Sequence, residues 1–192
     1  VFLFAIAPAF HFLIMHRFPL VANEKYRQEE RRSVWWNNLA IAVLFGAAVL
    51  AIGFKTVLLI FLPGAILAAS FGTWLFYVQH QFEDTYWEYQ PAWDYTVAAL
   101  CGSSYYRLPK VLQWFSGNIG FHHIHHLSPR IPNYKLEEVY KTDPLFQDVN
   151  QLTLRSSFAT LSLGVWDEQQ QQLISFNEVH ERYGDLYAEI EE

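Results

Sequence analysis

The residues in this sequence best suited to chemistry are histidines, and they are bunched. Four of the eight fall within positions 122 to 126, in the run Gly117-Asn118-Ile119-Gly120-Phe121-His122-His123-Ile124-His125-His126. On a helix, His122, His125 and His126 stand at i, i+3 and i+4 and share one face. Converging neutral imidazoles are good ligands for a transition metal such as iron, zinc or copper. His123 lies about 100° round the helix from His122, which makes it the weakest ligand candidate of the four. Asn118 stands one turn before His122, where its amide could bond a ligand. The competing reading is a solvated histidine loop or an adventitious metal patch.

A further candidate ligand is His80, in the stretch Trp74-Leu75-Phe76-Tyr77-Val78-Gln79-His80 that ends a long apolar run. If the helix continues, Glu83 and Asp84 at i+3 and i+4 share its face, and Glu83 can orient its second ring nitrogen. The plainer reading is a polar boundary residue. His11 and His16 are spaced like interface residues, and His180 sits in an acidic tail and reads as solvated. A single cysteine, Cys101, excludes an internal disulfide and a cysteine-based metal site of the usual spacing.

The elements that must carry these histidines are apolar. The 192 residues are 52% hydrophobic and 18% aromatic, high for a soluble protein. Residues 33–54 and 56–82 contain no charged side chain. Each block is long enough to cross a hydrocarbon core of about 30 Å. We therefore expect two membrane helices, about 34–54 and 57–79, joined by the short break at Lys55-Thr56 as a hairpin. Trp35 and Trp36 suit the membrane–water interface. Residues 1–15 read as the end of a membrane or interfacial segment.

The loop 16–33 carries Arg17, Lys25, Arg27, Arg31 and Arg32, so the positive-inside rule places it in the cytoplasm. The hairpin then returns the chain to that side, with residues 80–140 as a cytoplasmic cap and 141–192 as a soluble tail. Residues 88–109, rich in Trp and Tyr, are expected to lie along the membrane surface. Pro109 suits the first turn of a helix running straight into the histidines, which Pro129 and Pro132 end. Leu136–Thr142 and Leu152–Leu163 read as short helices. The expected fold class is all-α, an integral membrane hairpin with a helical histidine cap. The net charge of −6 arises largely after Asp143, and no basic surface suggests a nucleic acid partner.

The run His122-His123-Ile124-His125-His126 followed by Leu127-Ser128-Pro129-Arg130-Ile131-Pro132-Asn133-Tyr134, together with the residues around His80, resembles the membrane fatty acid desaturases, closest to the bacterial acyl-lipid Δ12/omega-6 type. That family carries three histidine boxes and an isolated histidine after the last membrane helix. The third box maps to His122, His125 and His126, and the isolated ligand maps to His80. The resemblance implies a non-haem centre of two iron ions, O2 as co-substrate, a membrane lipid or acyl substrate, and electrons from a small donor such as ferredoxin or cytochrome b5. His123, Asn118 and Glu83 remain candidates for a supporting role.

The first two boxes have no counterpart upstream of residue 117, and His11 with His16, at i+5, do not supply one. With Val1 opening inside an apolar run, this points to the C-terminal part of a longer chain, inactive by itself. Two other readings stand beside the desaturase. A hydroxylase or ketolase would use the same iron chemistry. A membrane metal-binding or transport protein would need polar residues within its spans, and residues 39–54 and 57–69 offer almost none.

Overall fold

The computed structural model describes residues 4, 7–10 and 28–188, in two units, Val1–Trp74 and Leu75–Glu192. His11, His16 and the basic stretch through Arg27 lie outside the described residues, as does most of the segment 1–15.

The first unit contains α1 (Ala7–Phe10), α2 (Gln28–Ile52) and most of α3 (Phe54–His80). Leu and Ala, both strong helix formers, are the commonest residues of α2 and α3 taken together, and an α-helix satisfies its own backbone groups where water is absent. Both helices are long and apolar enough to cross a membrane. At 1.5 Å per residue they reach about 37 and 40 Å. No residue of α2 is buried, and Leu50 is 89% exposed. An apolar surface of that extent requires cover by lipid or protein.

The break between the helices falls at Gly53 rather than at Lys55-Thr56. Gly53 has φ 84°, a left-handed conformation that glycine adopts without a Cβ clash. Phe45 and Phe61, each eight residues from Gly53, meet edge to face at 6.1 Å, so the two helices fold back on each other. α2 also begins earlier than expected, with Glu29 and Glu30 in its first turn, where carboxylates suit the helix dipole. Pro63 lies inside α3.

The second unit holds the last turns of α3 and then α4 (Tyr95–Cys101), β1 (Tyr105–Arg107), α5 (Lys110–Phe115), α6 (His122–Leu127), α7 (Leu136–Thr142), β2 (Gln151–Thr153), β3 (Leu163–Asp167), β4 (Gln172–Ser175) and α8 (Phe176–Ala188). The chain is mostly helical, but the all-α expectation is corrected by two small sheets. β1 pairs in parallel with β2, Tyr106 opposite Leu152, and β3 pairs antiparallel with β4.

The helix expected over Leu152–Leu163 is instead a strand end, a 3-10 helix over Ser156–Ser162 and the start of β3. Hydroxyl side chains explain this. Thr153 Oγ1 accepts from Ser156 N, Ser157 Oγ donates to Leu154 O, and Thr160 Oγ1 donates to Ser157 O. Such local bonds compete with the α-helical ladder. α8 packs against β3 and β4, with His180 on its exposed side.

The single helix expected from Pro109 into the histidines is broken into α5 and α6. Gly117 and Asn118 both take positive φ, 65° and 59°, which turns the chain between them. Phe121 then bridges to Tyr105, and Tyr106 N donates to Gly120 O at 2.8 Å. Gly120 must be glycine, because a Cβ would stand 2.4 Å from Tyr106 O.

The aromatic stretch 88–109 is also only partly a surface layer. Trp93 and Tyr95 are exposed, but Ser103, Ser104 and Tyr106 are fully buried, and Tyr106 Oη lies 2.9 Å from Ser157 Oγ. Phe121, Ile124 and Leu136 form the core beneath α6, with Tyr105, Tyr140 and Phe146 packed around them.

Candidate metal centre

His80 closes α3, and His122 and His126 stand one turn apart on α6. Their Nε2 atoms form a triangle, 3.0 Å for His80–His122, 3.0 Å for His122–His126 and 3.2 Å for His80–His126. Nitrogens bound to one ion at 2.0–2.1 Å, at right or tetrahedral angles, are separated by roughly 2.8–3.4 Å. The spacing therefore fits a shared cation.

Hydrogen bonding alone cannot explain the triangle. His80 Nδ1 lies 3.0 Å from Gly102 O. A carbonyl only accepts, so Nδ1 carries the proton and a neutral His80 presents a bare Nε2 lone pair to the other two rings. If His122 and His126 both carry Nε2–H, two donors face each other. If either is bare, two lone pairs do. Every neutral tautomer leaves at least one of the three contacts repulsive, and a cation at the centre resolves all three.

The environment keeps these rings ready to bind. Burial, then the neighbouring imidazoles of His126, His80, His125 and His123, push the pKa of His122 down to about 3. Burial first, then His80 and His125, also lowers His126. Metal binding needs neutral imidazole, so both shifts favour it at neutral pH.

The other sequence candidates lie elsewhere. His125 stacks on His122 with ring centroids 5.8 Å apart, but the ligand atoms that gather within 4.8 Å are those of His80, His122 and His126. His123 is fully buried on the far flank of α6, its Nε2 3.0 Å from Phe146 O, and burial holds its pKa down at about 4. Asn118 commits its amide nitrogen to Asn133 O at 3.0 Å. α3 stops at His80, so the helical alignment expected for Glu83 does not form. The group orienting His80 is Gly102 O, while Glu83 accepts from Leu173 N through its backbone carbonyl.

Two supporting residues escaped the sequence reading. Gly102 has no side chain to mark it, and nothing in its neighbourhood points to a histidine 22 residues away. Tyr95 Oη donates to His126 O at 2.7 Å and Leu127 O at 3.1 Å, tying down the C-terminal carbonyls of α6. Its aromatic character was legible, its partner was not.

Residues 1–155 match the family model described as fatty acid desaturase. The chain belongs to the fatty acid desaturase family. It is also 44% identical over 178 residues to the fatty acid desaturase of Bacillus subtilis (strain 168), an alignment covering 92% of this chain and 49% of that relative. This desaturase-family chain thus spans about half the length of the curated relative it matches. Membership assigns it to a family of oxidoreductases acting in lipid metabolism. The matched region includes the whole histidine triangle and stops before β3, β4 and α8.

Proposed function

We propose that this chain forms the third-box half of a membrane-bound acyl-chain desaturase, with His80, His122 and His126 as ligands of one iron. The observation that carries this reading is the Nε2 triangle with its unavoidable repulsion between tautomers. His125 projects from the same helix, half-buried beside His122, and is available to a second iron whose remaining ligands lie outside this chain. Iron held here would supply the oxidising power, drawn from O2, to remove hydrogen from an unactivated methylene, which no side-chain acid or base can do. Two electrons and two protons would come from the two C–H bonds broken as the double bond forms. With two electrons from a small donor such as ferredoxin or cytochrome b5 and two protons from solvent, O2 would leave as two waters.

The chain's own residues set the stage for that chemistry. Gly102 O fixes the His80 tautomer so that its Nε2 lone pair points at the other two rings, the usual role of a ligand's outer partner. Burial keeps His122 neutral. The α2–α3 hairpin would cross the bilayer twice, leaving His80 at its cytoplasmic foot if the basic residues before α2 are cytoplasmic. An acyl chain would reach the site from the lipid phase.

The test is expression of the complete reading frame in a host lacking the product, with acyl-chain profiling and iron analysis. New double bonds with bound iron are expected. Hydroxylated chains would replace desaturation by the hydroxylase reading, and bound zinc with unchanged lipids would favour metal transport.

A further inference from the structure

We propose that His123 is a positioning residue that sets the rotation of α6, and with it the direction in which His122 and His126 present their nitrogens. α6 is only six residues long. A helix that short is not stable on its own, and its orientation must come from tertiary anchors. Three of its residues, His122, His123 and Ile124, are buried. Ile124 sits in the apolar core and grips without direction, since packing alone tolerates rolling.

His123 supplies the direction. Its ring lies edge to face against Tyr105 and Tyr140, with centroids at 6.2 and 6.1 Å. Its Nε2 lies 3.0 Å from Phe146 O, the last carbonyl of the 3-10 helix Pro144–Phe146. The carbonyl can only accept, so His123 donates from Nε2 and is not a ligand through that atom. That 3-10 helix is itself pinned by Asp143 Oδ1, which accepts from Leu145 N.

His123 is separated from His122 by about 100° and from His126 by about 60° around the helix. Rolling α6 about its axis would therefore lengthen the bond to Phe146 O and swing both ligand nitrogens away from His80 together. The donor bond and the triangle are two ends of one lever.

This inference rests on the reading of His80, His122 and His126 as ligands, and the experiment separates the two. Co(II) is titrated into the purified full chain in lipid nanodiscs, reading affinity and ligand-field spectrum. Wild type should bind Co(II) with imidazole character. His123→Phe keeps the aromatic volume but removes the donor. It should bind about 10- to 100-fold more weakly, with an altered spectrum, the range seen when outer partners of ligands are lost.

His123→Gln places an amide donor near the Nε2 position and should return to within about threefold of wild type, most of that loss being recovered. On wild type itself, 15N spectra of the imidazoles during Zn(II) addition should shift His122 and His126 and leave His123 as an Nε2–H tautomer. That measurement holds even if His123→Phe does not fold.

Wild-type affinity and spectrum in His123→Phe would overturn the positioning role while sparing the ligand reading. A His123 nitrogen that shifts with Zn(II), or Gln failing to rescue, would also overturn it. Wild type that binds no Co(II) would sink the ligand reading and this inference with it.

Discussion

The α2–α3 hairpin and the box helix α6 are both helical, for different reasons. α2 and α3 run 25 and 27 residues, and among their residues only Val57, Val78 and Gln79, all in α3, are buried. Their conformation follows from composition and from the solvent that composition demands, because apolar surroundings oblige every backbone group to bond internally. α6 has six residues and three of them are buried. It is held by contacts from distant parts of the sequence, namely Tyr105, Phe146, Tyr95 and His80. One region should therefore tolerate change residue by residue, and the other rests on a few specific contacts. A metal site would belong to the second kind, since ligands must be placed to within a few tenths of an ångström.

Substitutions at the triangle should break this contrast most sharply. His126→Ala removes one nitrogen of three and is expected to abolish both Co(II) binding by this chain and unsaturation by the complete protein, with membrane insertion unchanged by protease protection. His125→Ala should keep Co(II) on the triangle while still abolishing unsaturation. Loss of Co(II) in His125→Ala would place that ring in the triangle after all.

A matched pair of glycine substitutions comes next. In Gly120→Ala the new Cβ would meet Tyr106 O at 2.4 Å and the Gln113 amide at 2.5 Å. We expect the second unit to lose about 2 kcal/mol, as for overpacking elsewhere, read as a lower unfolding midpoint. Gly53→Ala meets nothing within 4 Å, and only its φ of 84° is unfavourable. That should cost about 1 kcal/mol, confined to the hairpin and without effect on Co(II) affinity. Equal losses in the two variants would erase the distinction between the regions.

Tyr95→Phe should come third. It deletes the hydroxyl that holds His126 O and Leu127 O, and a half-exposed bond of this kind is worth about 1 kcal/mol. Thermal unfolding of the second unit should register it, with a small weakening of Co(II) binding. At the bottom of the scale, His180→Ala on the exposed side of α8 should change stability by less than about 0.5 kcal/mol and leave the lipid profile of the complete protein unchanged.

The hairpin was largely legible because its cause is local. Two uncharged blocks bounded by polar residues define helices wherever they are placed, and only their ends moved, the bend to Gly53 and the start of α2 to Gln28. The identity of the histidine group was legible for a similar reason, since i, i+4 spacing brings His122 and His126 to one side of any helix. Less was legible where partners are remote. Glu83 looked like the support of His80 because it was near in sequence, yet α3 ended first and Gly102 took that place. The run from Pro109 looked like one helix because each piece favours it, yet the left-handed Gly117-Asn118 pair and the pairing of Phe121 with Tyr105 cut it in two.

By itself, then, the sequence named the candidate metal ligands and marked the segments apolar enough to cross a membrane. Both depend on side-chain chemistry and short-range periodicity. Only the tertiary structure decided which nitrogens meet. His80 and His122 are 42 residues apart, and closing that distance depends on where α3 stops, how the chain turns before α6, and how α6 is rolled against its core. These are sums of long-range contacts with no local signature. The same short helix therefore turns two histidines toward His80, a third into the core and a fourth aside.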